Sequence, residues 1–330
     1  MLAKKVQEKI DLALNFQQSA SVPICEFIDN EKVFYYFSHK SNPDIEDKVK
    51  AYHGLRVDIC WRFEQRRDYR KKGLGEILHS KFLRTHNLKV LSRDELEAEF
   101  ADFRIQQKLF EPYTYLSMSA DGCLSPAYRS LGFERFSQKM YTEPLEIERL
   151  IGIFAENLHL RAEEFSKQNL GQIFFIKDCI GYEKGLIFSL DFLKQHWLPK
   201  IKDAIEHLKS KNIKVILHSS GNITEALDAL IDIGIDGIHP VDIQAGMDIN
   251  LIKKQYAKSL ILFGSVDIYN KQADEIFQLT KNCLNNVFYQ GGYFMGTCQG
   301  INRKLDLKSV LAFFSSIREF NKTNPNQNEN

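Results

Sequence analysis

Side chains that can carry chemistry follow apolar runs at intervals in the second half of the sequence. The imidazole of His218 can bind a metal ion, accept a proton or hydrogen-bond a substrate near neutral pH, which makes it the central candidate. Asp178 and Glu183 are candidates to assist it in acid–base work, and Asp267 is a candidate to orient polar groups. The alternative for Asp178 and Asp267 is that each caps the segment that follows it. The polar segments are 177–183 (KDCIGYE), 218–222 (HSSGN), 239–242 (HPVD), 264–267 (GSVD) and 296–300 (GTCQG).

The apolar runs before these polar segments are short and rich in β-branched or aromatic residues, as buried parallel strands are. Segments of helical periodicity separate them, and this alternation indicates a parallel sheet. The predicted strands are 33–37, 55–59, 113–118, 172–176, 214–217, 235–238, 260–263 and 293–295, and the later predicted helices are 193–210, 224–233, 250–256 and 272–286. Roughly eight strands without a glycine-rich phosphate loop favour a single-domain α/β fold, the closed (β/α)8 TIM barrel. The polar segments should then meet at one end of the barrel and form the site.

Composition excludes several classes of protein. The 330 residues include 44% hydrophobic residues, enough for a large core. With 44 Lys+Arg against 43 Asp+Glu, the formal charge of +1 gives no reason to expect nucleic acid or an anionic membrane as partner. No apolar run reaches the roughly 18 residues that a membrane-spanning helix needs. Six dispersed cysteines without a CxxC pair are typical of reduced thiols, so we expect a cytoplasmic protein.

Sequence pattern also divides the chain into segments. They are an N-terminal amphipathic helix (1–20), the barrel (21–320) with an elaborated connection (60–110), and a disordered polar tail (321–330). The connection contains a concentrated positive patch, in which Arg62 and Arg66 are candidates to bind an anionic substrate. The alternative is a solvated helix face with Glu64 and Asp68 as local partners. The aromatic run at 33–37 is expected in the core.

Several segments of the sequence, in order and spacing, resemble the uroporphyrinogen decarboxylase superfamily. HSSGNI, GIDGIHPVDIQAGMDI, LFGSVD and GGYFMGTCQGI resemble its C-terminal half, and FIKDCIGYEKGLIFSLDFLKQHWLP resembles the segment before its histidine loop. LSPAYRSLGFERFSQKMYTEP resembles its middle helix, and SVPICEFID its first strand region. The resemblance is good over residues 112–320 and implies a (β/α)8 barrel. The superfamily includes the haem-pathway decarboxylase and methyltransferases that exchange methyl groups with a corrinoid or a thiol.

The resemblance to the zinc methyltransferases implies a metal site built from His-x-Cys and a later Cys. His218 matches the histidine, Ser220 stands at the cysteine position, and Cys298 lies one residue before the expected third ligand. Serine is a poorer zinc ligand than a thiolate, so such a site needs Glu183 or His196 in addition. The candidate metal ligands are therefore His218, Glu183 and Cys298. The alternative for Cys298 is a buried small residue.

The resemblance to the decarboxylase itself weakens at the substrate-binding positions. The family's arginine pair after the first strand falls on 24–30 (ICEFIDN), which contains no arginine. Gln299 stands where the decarboxylase has a histidine, and glutamine cannot carry a proton or a positive charge. Tyr128 corresponds to the family's active-site tyrosine. With His239 these residues are candidates for substrate binding, although His239 is equally suited to end its strand.

We interpret the chain as an enzyme of this superfamily on its methyltransferase-like side. It would move a one-carbon group between a small methylated donor and a corrinoid or similar acceptor, with zinc as cofactor and a corrinoid protein as partner. Two alternatives stay open. One is a tetrapyrrole (uroporphyrinogen) decarboxylase, a lyase that uses other cations such as the arginines at 62–70. The other is a catalytically silent ligand-binding barrel. A homodimer is compatible with each.

Overall fold

A parallel sheet of seven strands forms the centre of the fold in a computed structural model, which describes residues 1–63 and 89–323. Numbered along the chain, the strands are β1 (Ile28–Asp29), β2 (Ile59–Trp61), β3 (Tyr115–Asp121), β4 (Ile173–Lys177), β5 (Gly181–Tyr182), β6 (Gly185–Leu186), β7 (Lys214–His218), β8 (Gly237–His239), β9 (Ile261–Phe263), β10 (Tyr293–Phe294) and β11 (Ile301–Asn302). The order in the sheet is β10-β9-β8-β7-β4-β3-β2, and every pair in it is parallel. Neighbouring strands along the chain are therefore neighbours in space.

The sheet closes into a barrel through the extended segment 23–25, which we call the closing segment. The Cys25 amide donates to the Met295 carbonyl at 2.9 Å, beside β10, and the Glu26 amide donates to the Ile59 carbonyl at 3.1 Å, in β2. The closing segment thus joins the two edge strands of the sheet and is the eighth strand of the barrel. The predicted (β/α)8 barrel is confirmed.

Helices surround the barrel. They are α1 (Lys4–Leu14), α2 (Glu31–Ser38), α3 (Ile45–Leu55), α4 (Arg93–Phe110), α5 (Leu124–Leu131), α6 (Phe133–Thr142), α7 (Pro144–Lys167), α8 (Leu190–Phe192), α9 (Leu198–Ser210), α10 (Leu227–Asp232), α11 (Ile249–Gln255), α12 (Ala273–Val287) and α13 (Leu307–Thr323). Within the described ranges, no helix has the length and apolar character that crossing a membrane requires.

The prediction of a strand at 33–37 is wrong, because this run lies in α2. The Asn30 side chain accepts hydrogen bonds from the amides of Lys32 and Val33 and so starts a helix. Val33 is buried, whereas Tyr35 is 53% exposed, so the aromatic run is not wholly in the core either. The predicted strand at 55–59 is also misplaced, since α3 ends at Leu55 and β2 begins at Ile59.

Helix α1 packs against the amino-terminal end of the barrel. Its residues Ile10 and Leu14 join the interior cluster that contains Phe175 of β4. Lys9 forms an ion pair with Asp58, just before β2, with Nζ 2.7 Å from Oδ1. The carboxyl-terminal ends of the strands therefore lie at the other end of the barrel, where the candidate residues are.

Parts of the predicted segments lie outside the described residues. The helix predicted in 1–20 occupies Lys4–Leu14. Within the predicted 60–110 connection, residues 64–88 lie outside the description. The predicted disordered tail, 321–330, begins too early, because α13 continues to Thr323. Residues 324–330 of that tail lie outside the described part.

Candidate functional site

Four titratable residues lie side by side at the carboxyl-terminal ends of β3, β4, β7 and β8. The strand register pairs Asp121 with Lys177, Lys177 with His218, and His218 with His239. The Lys177 ammonium lies 3.5 Å from the Asp121 carboxylate. The predicted residues Asp178, Asp267 and Cys298 lie in segments that follow strands at this end. The fold therefore brings these polar segments to one end of the barrel.

His218 and His239 form a neutral pair. Their Nδ1 atoms are 2.8 Å apart, so one proton joins them and one ring donates to the other. Burial lowers the pKa of His218 to about 4, and the charges of Lys177 and Arg129 contribute. The pKa of His239 is lowered well below its usual range, mainly by burial and to a smaller extent by the charge of His218. Both rings are uncharged at pH 7, and Nε2 is the nitrogen of His218 that does not face His239.

Aromatic rings surround the histidine pair. The Trp61 ring lies 5.4 Å from the His218 ring and 4.9 Å from the His239 ring, centroid to centroid. Phe27 stacks on Trp61 at 5.2 Å, and Phe175 lies 5.8 Å from His239 edge to face. This apolar enclosure accounts for the low pKa of both imidazoles. Sequence reasoning missed Trp61, since a single aromatic residue at a strand end gives no distinct signal.

Asp178 is turned towards α5. Its carboxylate is fully buried and accepts hydrogen bonds from the amides of Cys123 and Leu124 and from Nε1 of Trp197, the last at 2.7 Å. It also accepts from the Ser125 amide. Burial raises the pKa of Asp178, although these hydrogen bonds lower it. The geometry is that of a cap on α5, a helix that precedes Asp178 in the chain, and not on the segment that follows it as the alternative had it. These hydrogen bonds give the carboxylate a structural role.

Glu183, Gln299 and Tyr128 each lie in surroundings different from those of His218. Glu183 is exposed in the turn between β5 and β6. Gln299 is exposed and donates to the Gln244 side chain. The Tyr128 hydroxyl donates to the Cys179 carbonyl at 3.0 Å, and burial raises its pKa to about 12. Tyr128 therefore holds α5 against the segment after β4.

The predicted metal ligands do not form a site. Among residues 1–63 and 89–323, no three His, Cys, Asp or Glu side chains are arranged to hold a metal ion. His218, Glu183 and Cys298 therefore do not converge, because Glu183 is on an exposed hairpin turn and Cys298 is 3% exposed. The additional candidate His196 is paired through Nδ1 with Glu148 at 2.5 Å. These residues do not fit a bound zinc ion.

Arg62 is engaged by carboxylates of α4. Its Nη2 lies 2.9 Å from Glu99 Oε1, and its Nη1 lies 3.9 Å from Asp102. Arg161 binds the same Glu99 carboxylate at 3.0 Å. The prediction that Arg62 holds an anionic substrate is therefore opposed by these ion pairs, which sequence spacing could not reveal. Arg66 lies outside the described residues.

Glu26 is a buried carboxyl group at this end of the barrel that the sequence did not single out. It directly follows the closing segment and is 2% exposed. Its Oε2 accepts from the Thr297 amide at 2.8 Å, and its Oε1 accepts from the Phe27 amide at 3.0 Å. Burial raises the pKa of Glu26 to about 7, although both amides lower it. A carboxyl group that titrates near neutrality at this end of a barrel is a candidate for proton transfer.

Cys298 and Asp267 lie on the same side as Glu26. Burial raises the pKa of the Cys298 thiol, and the charges of Asp267, Asp242 and Glu26 raise it further. The thiol is therefore protonated at pH 7. Asp267 Oδ1 accepts from the Tyr269 amide at 2.9 Å, so this carboxylate also stabilises its own turn.

A closed parallel barrel with titratable side chains at the carboxyl-terminal ends of its strands defines a TIM-barrel protein. A family model described as "Uroporphyrinogen decarboxylase (URO-D)" matches residues 114–320. Because the match covers more than half of the chain, the chain belongs to this family, and the resemblance seen in the sequence is confirmed.

Two solved structures are similar over almost the whole chain. A methyltransferase from Methanosarcina mazei has a TM-score of 0.71 at 16% identity and covers 96% of this chain and 98% of its own. A B12-independent methionine synthase from Shewanella sp. W3-18-1, in complex with selenomethionine, has a TM-score of 0.53 at 14% identity and covers 92% of this chain and 97% of its own. At these identities the similarity shows the fold. A search of the curated proteins finds no match.

Proposed function

We propose that the protein is a methyltransferase-like enzyme that moves a methyl group from a small donor to a corrinoid or similar acceptor. The observation that carries the proposal is the uncharged His218–His239 pair, set among Trp61 and Phe175 at the carboxyl-terminal end of the barrel. A small donor with an apolar methyl group suits such a surface. The methyltransferase and the methionine synthase of similar fold also support the proposal of methyl transfer.

The charge of the site argues against a tetrapyrrole decarboxylase. A substrate with eight carboxylates needs several fixed cations. The cations that act on His218 are Lys177 and Arg129, and Lys177 already faces Asp121. Arg62 is ion-paired with Glu99. The part of the chain that the structure describes therefore lacks a convergent set of free arginines near His218.

In this proposal the chain's own residues hold the donor and exclude water. His218 Nε2 hydrogen-bonds the donor, while its Nδ1 is fixed by His239. The Trp61 ring forms an apolar wall beside the methyl group. The nucleophilic acceptor attacks the methyl carbon, and the bond to the leaving group breaks with its electron pair. The scheme uses no zinc, since the candidate ligands among residues 1–63 and 89–323 do not fit it.

The acceptor and the compartment complete the proposal. A corrinoid, free or carried by a partner protein, would approach the end of the barrel where His218 lies. The six cysteines are all unpaired, which supports the reducing environment of the cytoplasm.

The test is methyl transfer to free cob(I)alamin or homocysteine from a panel of methanol, a methyl ether, dimethyl sulfide and methylated ammonium compounds. We expect methylated acceptor with at least one donor, and a loss of about 10²-fold in His218→Gln, because the donor is then misplaced. His196→Gln is the matched control, since His196 pairs with Glu148 on the outer helices. No methyl transfer from any donor contradicts the proposal, and turnover of uroporphyrinogen would favour the decarboxylase in its place.

A further inference from the structure

Arg129 is an exposed cation of α5, at the carboxyl-terminal end of the barrel, to which the proposed function gives no role. Its Nη2 atom donates to the Cys179 thiol at 3.3 Å. The hydroxyl of the preceding residue, Tyr128, donates to the Cys179 carbonyl at 3.0 Å, and the guanidinium lies 6.0 Å from the Tyr128 ring. These contacts hold the guanidinium beside the segment that follows β4.

The segment that follows β4 also lies against the histidine site. The strand register pairs Lys177 with His218, and the Asp178 amide donates to the His218 carbonyl at 2.9 Å. Cys179 is the next residue, so its backbone lies one strand spacing, about 5 Å, from the loop that His218 opens. The pKa of His218 agrees with this placement, because burial lowers it most and the charges of Lys177 and Arg129 lower it further.

The carboxylates closest to this segment are engaged by other groups. Asp121 lies 3.5 Å from the Lys177 ammonium, and the buried Asp178 accepts from α5 amides and from Trp197. Within the ranges 1–63 and 89–323, no carboxylate forms an ion pair with Arg129. Its hydrogen-bond partner is a thiol, a weak acceptor for a group that has five N–H donors. The guanidinium therefore has donors left for an anion.

We propose that Arg129 binds a carboxylate group of the methyl donor, while His218 holds the end of the donor that carries the methyl group. This inference rests on the methyl-transfer function proposed above and narrows its class of donor. A guanidinium matches a carboxylate through two parallel hydrogen bonds, which fix orientation as well as position. Arg129 is then a residue that determines specificity, and the reacting atoms stay beside His218.

The spacing of the strands limits the length of such a donor. Because neighbouring strands lie about 4.8 Å apart, roughly one to three carbon atoms between the methyl-bearing atom and the carboxylate span from His218 to the segment of Cys179. The Trp61 ring, 5.4 Å from the His218 ring, provides the apolar surface for the methyl group. The donor class is therefore a short carboxylic acid that carries a transferable methyl group on a heteroatom.

The experiment compares donors in pairs that are matched in size and differ in charge: methoxyacetate with 2-methoxyethanol, and (methylthio)acetate with 2-(methylthio)ethanol. Equilibrium binding of each compound is measured by calorimetry, at low and at high salt, for the wild-type protein, Arg129→Gln and Arg129→Lys. Methyl transfer from each compound to cob(I)alamin is measured in parallel. Because Arg129 is exposed, we expect both variants to fold, and thermal unfolding checks this.

We expect the wild-type protein to bind each acid about 10-fold or more tightly than the matching alcohol, which is the effect of a charge-assisted hydrogen bond. Arg129→Gln should lose this preference and keep its affinity for the alcohols. Arg129→Lys should keep part of the preference, because an ammonium supplies the charge without the guanidinium fork. High salt should reduce the preference of the wild type, since the guanidinium is exposed.

Arg135→Gln is the matched control, because Arg135 is an exposed arginine of the neighbouring helix α6. An equal loss of the preference in Arg135→Gln and Arg129→Gln reflects the general surface charge and overturns the role of Arg129. Equal binding of acids and alcohols by the wild type, or no binding of either acid, overturns it as well. A preference for acids that depends on Arg129, without methyl transfer from any donor, supports the anion site and overturns the proposed function instead.

Discussion

The neutral state of His218 predicts a particular dependence of stability on pH. Its pKa is about 4 in the folded protein, against 6.5 for an ordinary histidine. Between these values the unfolded chain binds a proton that the folded protein does not, so the free energy of unfolding decreases as the pH falls through 6.5 towards 4. The substitution His218→Gln removes this titration while keeping an amide that can bond to His239.

The size of the expected change in unfolding free energy follows from the shift in the pKa of His218. Each pKa unit corresponds to about 1.4 kcal/mol, so the whole effect is about 3 kcal/mol. About 2 kcal/mol of it should appear between pH 7 and pH 4.5. Glu26 acts in the opposite direction over the same range, because its folded pKa is raised from 4.5 to about 7. Glu26 is present in both proteins, so its contribution cancels in the comparison.

The assay is urea unfolding of the wild-type protein and His218→Gln at half-unit steps from pH 7 to pH 4.5. The difference in unfolding free energy between the two should shrink by about 2 kcal/mol as the pH falls, because the wild type alone loses the His218 contribution. Parallel curves, with a difference that does not change with pH, would refute the lowered pKa of His218.

Three more predictions concern the roles of buried charges. Asp178→Ala should lower the free energy of unfolding, measured by urea denaturation, by about 3 kcal/mol or more. The reason is that the substitution leaves the α5 amides and Trp197 Nε1 without an acceptor. Near-wild-type stability would show that the cap is unimportant. Arg62→Ala should leave donor affinity in equilibrium binding unchanged and lower stability by about 1–3 kcal/mol, because it leaves Glu99 with one partner; a large loss of affinity would return Arg62 to the site. Burial lowers the pKa of Lys253 to about 8. The free energy of unfolding of the wild type relative to Lys253→Met should therefore increase from pH 8 to pH 10.5, because only the unfolded chain still binds the proton there. A difference that does not change with pH would contradict the lowered pKa.

The sequence predicts the later strands well because each is a short buried run bounded by polar segments. The predicted strand 214–217 and the observed β7 (Lys214–His218) differ by one residue. Periodicity does not reveal the first strand, since the closing segment 23–25 is too short to show a period; only the family resemblance of SVPICEFID places the first strand region there. The run at 33–37 is helical despite its β-type composition, because the Asn30 cap before it starts a helix.

The site was predictable in its position and only partly in its members. Polar residues after parallel strands meet at one end in any barrel, which placed His218 and His239 correctly. The 2.8 Å contact between them depends on the strand register, which spacing alone does not give. The partners of Asp178 and Arg62 are far away in sequence, so their ion pairs and caps could not be foreseen.

The most direct measurement of the central claim is single-turnover transfer of a ¹³C-labelled methyl group from the best donor to cob(I)alamin, followed by mass spectrometry of the acceptor. The account predicts labelled methylcobalamin with the wild-type protein and with His196→Gln, and about 10²-fold less with His218→Gln. Equal labelling by His218→Gln and wild type, or no labelling by the wild type, would contradict it.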